Sequence, residues 1–143
     1  MIIGNFKCKY EKCYIVFPVL FRIFYGCGLR ISEALNLRVK DVDLENGIIA
    51  IYESKNDNDR LIPLSNNLTI IIKNYFNKMH KNPCDDDYFF YVSDCKIPII
   101  KSTLRFAFTR ILKSANIEKI KDNNPRIHDF RHTFRCELFE EIY

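Results

Sequence analysis

Long uninterrupted apolar runs, Cys-x-x-Cys motifs and glycine-rich stretches are all missing from this chain of 143 residues. The most apolar segment, YIVFPVLFRIFYG from Tyr14, contains Pro18 and Arg22 and is shorter than the ~20 residues of a spanning helix. It reads as a core helix, and no membrane partner is expected. Because Arg22 divides it and no small-residue cleavage site follows, it does not read as a secretory leader either. Only four Gly and five Pro are present, with no repeat, no low-complexity tract and no Gly/Ser linker, which excludes a disordered chain. Against that scarcity stand 48% apolar and 14% aromatic residues, enough for one packed domain over 1–143 with a short lead-in over 1–12.

The six cysteines, at 8, 13, 27, 84, 95 and 136, never form Cys-x-x-Cys. His80 and Cys84 have ligand spacing, but no second pair matches them, so no metal is expected. Buried or free thiols in a reducing compartment are the simpler reading, and a cytoplasmic location follows from it.

Acidic residues are scarce in the last third. Lys96 to Arg135 holds ten Lys and Arg against three acids, a balance of +7, whereas Asp41 to Arg60 holds six acids and two bases, a balance of −4. A basic C-terminal third is a field that attracts a polyanion, although basic runs are often only solvated faces.

Periodicity predicts a mainly helical α+β fold with a small antiparallel hairpin. Residues 15–25 are apolar nearly all round and should end at Gly26 or Gly28. ISEALNLRV follows as a short second helix with Ser32 as a plausible cap. GIIAIYES and RLIPL, separated by NDND, read as a hairpin carrying Lys55 at its tip. SNNLTIIIKNYFNKMH and KSTLRFAFTRILKSANI are amphipathic helices, with the short apolar run YFFYVS between them. In the last helix Ile127, Phe130, Phe134 and Leu138 share one face, while His128, Arg131, His132 and Arg135 share another.

That second stripe has a plain reading as solvated charge. Arg30, presented between two helices, and Lys55, on a hairpin tip, favour a site in which cations from three parts of the chain meet. The ordered segments YGCGLRISEALNLRVKDVD, SKNDNDRLIPL and HDFRHTF resemble the catalytic domain of the tyrosine recombinases, the phage integrase family, from about Phe17 to Phe134. By that resemblance Arg30 corresponds to the first catalytic arginine, Lys55 to the hairpin lysine, and His128 and Arg131 to the His-x-x-Arg pair. Glu33 takes the acidic position that orients the first guanidinium. The implied reaction is site-specific DNA recombination: a tyrosine attacks a phosphodiester of double-stranded DNA, leaving a 3′-phosphotyrosyl link and a free 5′-hydroxyl, with no cofactor. Other recombinase subunits are implied partners.

The residue types suit that chemistry. Two guanidiniums donate paired hydrogen bonds to the non-bridging oxygens while staying charged, lysine protonates the leaving 5′-oxygen, and imidazole assists proton transfer or holds the phosphate. The resemblance also implies a second His or Trp and a later nucleophilic tyrosine, neither of which follows Phe134 in RCELFEEIY, and an N-terminal domain that twelve lead-in residues cannot supply. Tyr143 stands ~18 Å along a continuous helix from Arg131, too far to share its phosphate. The expectation is an incomplete catalytic domain, inactive alone, or a DNA-binding module paired with a full-length recombinase that supplies tyrosine in trans.

Overall fold

The computed structural model describes residues 11–52, 59–117 and 125–142, with side chains of the last segment described as far as Phe134. Helix α1 spans Cys13–Cys27 and is the spine of the core: Val16, Phe17, Leu20, Ile23 and Phe24 are all buried on it. It begins earlier than the apolar pattern suggests, so Pro18 falls in its second turn rather than its first. Gly28 stops it by taking a left-handed conformation, φ 58°, while its N–H still reaches the Phe24 carbonyl at 3.1 Å. Helix α2, Ile31–Asn36, follows after three residues.

Three antiparallel strands come next, β1 (Val42–Asp43), β2 (Ile48–Ile51) and β3 (Arg60–Pro63), in that spatial order. The short β1 escapes a hairpin reading because two residues carry no period. Its turn is built locally: the Asp43 carboxylate accepts the N–H groups of Glu45 and Asn46 at 3.0 Å each, and Gly47 supplies the positive φ of 65°. On β2, Ile49 and Ile51 face the core, and Ile51 pairs with Arg60 at the end of the ladder.

Helix α3, Asn66–Met79, starts at Ser65, whose hydroxyl accepts the Leu68 N–H at 3.3 Å. Leu68, Ile72, Tyr75 and Met79 form its buried stripe against α1. The run YFFYVS buries its middle four residues, 89–92, without becoming a strand. Its backbone is satisfied elsewhere: Phe89 donates to the Leu37 carbonyl at 2.8 Å, and the Phe89 carbonyl accepts the Tyr75 hydroxyl at 2.9 Å. His80 Nε2 lies 3.0 Å from that same carbonyl, and its ring stacks on Phe76. His80 is therefore a core residue, and no metal-binding cluster occurs among the described residues. Cys13 departs from the expectation of free thiols, being disulfide-bonded, whereas Cys27, Cys84 and Cys95 are free.

Helix α4, Lys101–Ser114, buries Leu104, Ala107 and Phe108, leaving Ile111 and Leu112 only half-buried. Helix α5, Ile127–Ile142, packs on α1. Ile127 is buried, and the Phe130 ring meets those of Phe21 and Phe108 at centroid distances of 6.1 and 5.7 Å. Among the described residues no helix is long and apolar enough to cross a membrane. The fold is α+β: among the described residues, five α-helices of which α1 contacts α2, α3 and α5, together with a small three-stranded antiparallel sheet.

Candidate active site

Glu33 organises the site. It is the third residue of α2, and its carboxylate Oε2 accepts the backbone N–H of Arg30 at 2.7 Å while Oε1 accepts Arg30 Nη1 at 3.0 Å. An acid in this place satisfies an otherwise orphaned N–H at the helix start, so one carboxylate both begins α2 and orients the Arg30 guanidinium. The cap position belongs to Arg30, and Ser32, the expected cap, lies inside the helix. The same device recurs where Asp41 accepts the Arg38 N–H at 2.8 Å and Asp129 accepts the Arg126 N–H at 2.7 Å. The last of these starts α5.

Arg131 arrives from α5. Its Nη1 donates to the Gly28 carbonyl at 2.8 Å and stands 3.8 Å from Glu33 Oε2. A carbonyl oxygen orients a guanidinium without cancelling its charge. The left-handed turn at Gly28 is thus used twice, once to end α1 and once to aim a carbonyl at Arg131. It also makes room for α5, since a Cβ on Gly28 would lie 3.1 Å from Phe134 Cγ.

Among the described residues a third cation joins the cluster. Arg60, the first residue of β3, places Nη2 2.8 Å from Glu33 Oε2. The Glu33 side chain is only 8% exposed, so three guanidiniums surround a carboxylate largely withdrawn from water. Sequence reading did not single out Arg60, which looks like an ordinary strand residue before an apolar run. The one available signal was a charged side chain opening the apolar run RLIPL, five residues after Lys55.

His128 is exposed one turn before Arg131 and lines a cleft of about 560 Å³ with Ile31, Arg105, Phe108, Thr109 and Arg126. The cleft touches the residue next to Arg30, so His128 borders the cluster without joining the carboxylate. His132 is exposed on the same helix. Lys55 and the side chain of Arg135 lie outside the described residues.

Residues 5–143 match the sequence model of the phage integrase family. The chain belongs to that family. Among relatives of this integrase-family chain, a tyrosine recombinase of Pseudothermotoga lettingae is 32% identical over 96% of this chain and 43% of its own length. A probable integrase/recombinase of Acholeplasma phage L2 is 31% identical over 91% of this chain and 42% of its own. The chain therefore spans less than half the length of these curated relatives. Its fold is that of the XerA recombinase crystal structure, with a TM-score of 0.73, 24% identity, and coverage of 92% of this chain and 45% of that one. The Tn1549 transposon integrase, solved in complex with circular intermediate DNA, matches with a TM-score of 0.70 at 26% identity, covering 98% of this chain and 48% of that one.

For an integrase-family chain the surrounding charge is well arranged. Arg105 and Arg126 extend the basic surface beside His128, while Phe108 and Ile127 supply the apolar floor beneath it. The two arginines that sequence motifs single out, Arg30 and Arg131, meet at one carboxylate although they come from opposite ends of the chain.

Proposed function

We propose that this chain acts in site-specific DNA recombination, binding the scissile phosphate of double-stranded DNA through Arg30 and Arg131. The convergence of both guanidiniums on Glu33 carries this reading, because it holds two permanent cations at one place with fixed orientation. The Tn1549 integrase neighbour, solved with circular intermediate DNA, supports DNA as the substrate.

In the proposed reaction a tyrosine oxygen attacks phosphorus, and the bond from phosphorus to the 5′-oxygen breaks. The link left behind is a 3′-phosphotyrosine. Lys55 gives its proton to the departing 5′-oxygen, and His128 assists removal of the tyrosine proton or holds the phosphate. Arg30 and Arg131 stabilise the charge that develops on the non-bridging oxygens.

We place the nucleophile outside these 143 residues, on a further segment of a longer chain or on a second recombinase subunit. The unbroken course of α5 to Ile142 supports this, since eleven residues beyond Arg131 amount to ~16 Å of helix. Attack requires the reacting atoms within ~3.5 Å. The domain is then the phosphate-binding part of a recombinase catalytic unit that works with other subunits on DNA.

A mixing experiment tests the reading. The chain is combined with a nicked duplex recombination substrate and an integrase-family partner whose own two arginines are replaced by alanine, and covalent protein–DNA adduct is read on a denaturing gel. Adduct that appears only in the mixture, and disappears with Arg131→Ala in this chain, is the expected result. Adduct formed by this chain alone and lost with Tyr143→Phe would overturn the placement of the nucleophile. No adduct at any mixing ratio, with no DNA affinity either, would overturn the function.

A further inference from the structure

We infer that Arg60 is a positioning residue of the phosphate site, and that its task is to neutralise Glu33 so that Arg30 and Arg131 keep their charge for the phosphate. The inference rests on the phosphate-binding reading above and adds a residue to it.

The charge arrangement leads to it. A carboxylate that is 8% exposed retains little solvation and takes its compensation from the nearest cations. Two of the three guanidiniums beside it are the ones proposed to grip phosphate. If they alone compensated Glu33, the carboxylate would compete with the incoming phosphate for the same donors. Arg60 changes that balance. At 2.8 Å it lies closer to Oε2 than Arg131 does at 3.8 Å, and it comes from a different element, the start of β3.

Position separates the roles further. Arg131 has an anchor besides the carboxylate, the Gly28 carbonyl, whereas Arg30 is tied to Glu33 through its backbone N–H as well as its guanidinium. Arg60 pairs across the ladder with Ile51, at the end from which residues 53–58 depart. The ion pair therefore also ties the start of β3 to α2.

The sign of the effect distinguishes this role from simple structural support. In Arg60→Ala, Glu33 should draw Arg30 and Arg131 to itself and phosphate affinity should fall about tenfold, the size of one charge-assisted contact. Adding Glu33→Gln should restore most of that loss, because glutamine still accepts a hydrogen bond but carries no charge to be compensated. Arg60→Lys, which keeps the cation, should bind nearly as the parent does.

The measurement is a titration of the 143-residue chain, labelled with ¹⁵N-arginine, with inorganic phosphate, following the side-chain Nε–H signals of Arg30 and Arg131. Arg60→Gln replaces Arg60→Ala should the alanine variant not fold. Loss in the single variant with recovery in the Glu33→Gln double variant supports the inference. Loss without recovery overturns it, since Arg60 would then be needed for contact or for structure rather than for charge balance. Unchanged affinity in Arg60→Ala overturns it too, while the phosphate site stands as long as Arg30→Ala abolishes binding. Phosphate binding that survives Arg30→Ala removes the site and this inference together.

Discussion

The guanidinium of Arg131 donates to the backbone carbonyl of Gly28 at 2.8 Å, joining residues 103 positions apart in the chain. The contact fixes α5 to the turn after α1, which is also the turn that presents Arg30. Two cations of the site thereby share one rigid support.

Gly28→Ala should disrupt this support. The left-handed φ of 58° is strained for alanine, and the added Cβ meets the Phe134 ring. A loss of about 2 kcal/mol in stability is expected from backbone strain together with overpacking. Thermal unfolding followed by circular dichroism measures it, and a variant as stable as the parent would contradict the packing described.

Arg131→Lys should separate charge from geometry. Lysine keeps the cation but lacks the planar fork that can bond a carbonyl and a phosphate together. Adduct formation in the mixing experiment is expected to fall by about 10- to 100-fold, with the melting temperature nearly unchanged. Equal adduct yield from the lysine variant would mean that position 131 supplies only charge.

His80 gives the core a pH dependence unrelated to the site. Burial, opposed by the Phe89 carbonyl contact and by Asp87, lowers its pKa below the ordinary imidazole value. The unfolded chain then binds a proton more readily than the folded one, so the stabilisation is complete above the unfolded value near ~6.5 and is lost as the pH falls below it. Melting temperature should drop between pH 7 and 5, and His80→Gln should flatten that interval. A parent protein with no slope there would disprove the burial effect.

Asp87 should act at lower pH. The Lys96 ammonium, and next the Cys84 N–H, hold its carboxyl down at about 2. A carboxylate depressed on folding stabilises above its unfolded value near ~3.9 and loses that contribution as the pH falls toward its folded value. Asp87→Asn should therefore melt below the parent at pH 7, the two curves converging as the pH approaches 2. A constant gap at all pH values would assign the effect to packing instead of charge.

Much of the candidate site is legible in one dimension because its parts are built locally. Arg30 and Glu33 stand three residues apart on a helix start, and His128 and Arg131 stand one turn apart on α5, so spacing alone brings each pair together. Arg60 is different. Its partner Glu33 lies on another element, and nothing in RLIPL distinguishes a strand arginine that faces water from one that compensates a carboxylate. Ser32 shows the converse error: a good capping residue type stands two residues past the cap position, because Arg30 and Glu33 together start the helix.

Local chemistry thus determined the helices, the glycine stop at the end of α1, the apolar stripes and the two short motifs that carry Arg30 and Arg131, since each follows from residue type and period within a few positions. Long-range packing decided which of those residues meet. The Phe130 and Phe134 contacts seat α5 on α1, the Gly28 carbonyl aims Arg131, and the sheet brings Arg60 to the same carboxylate. Convergence of charge from separate elements depends on how the core closes, and no local period encodes that.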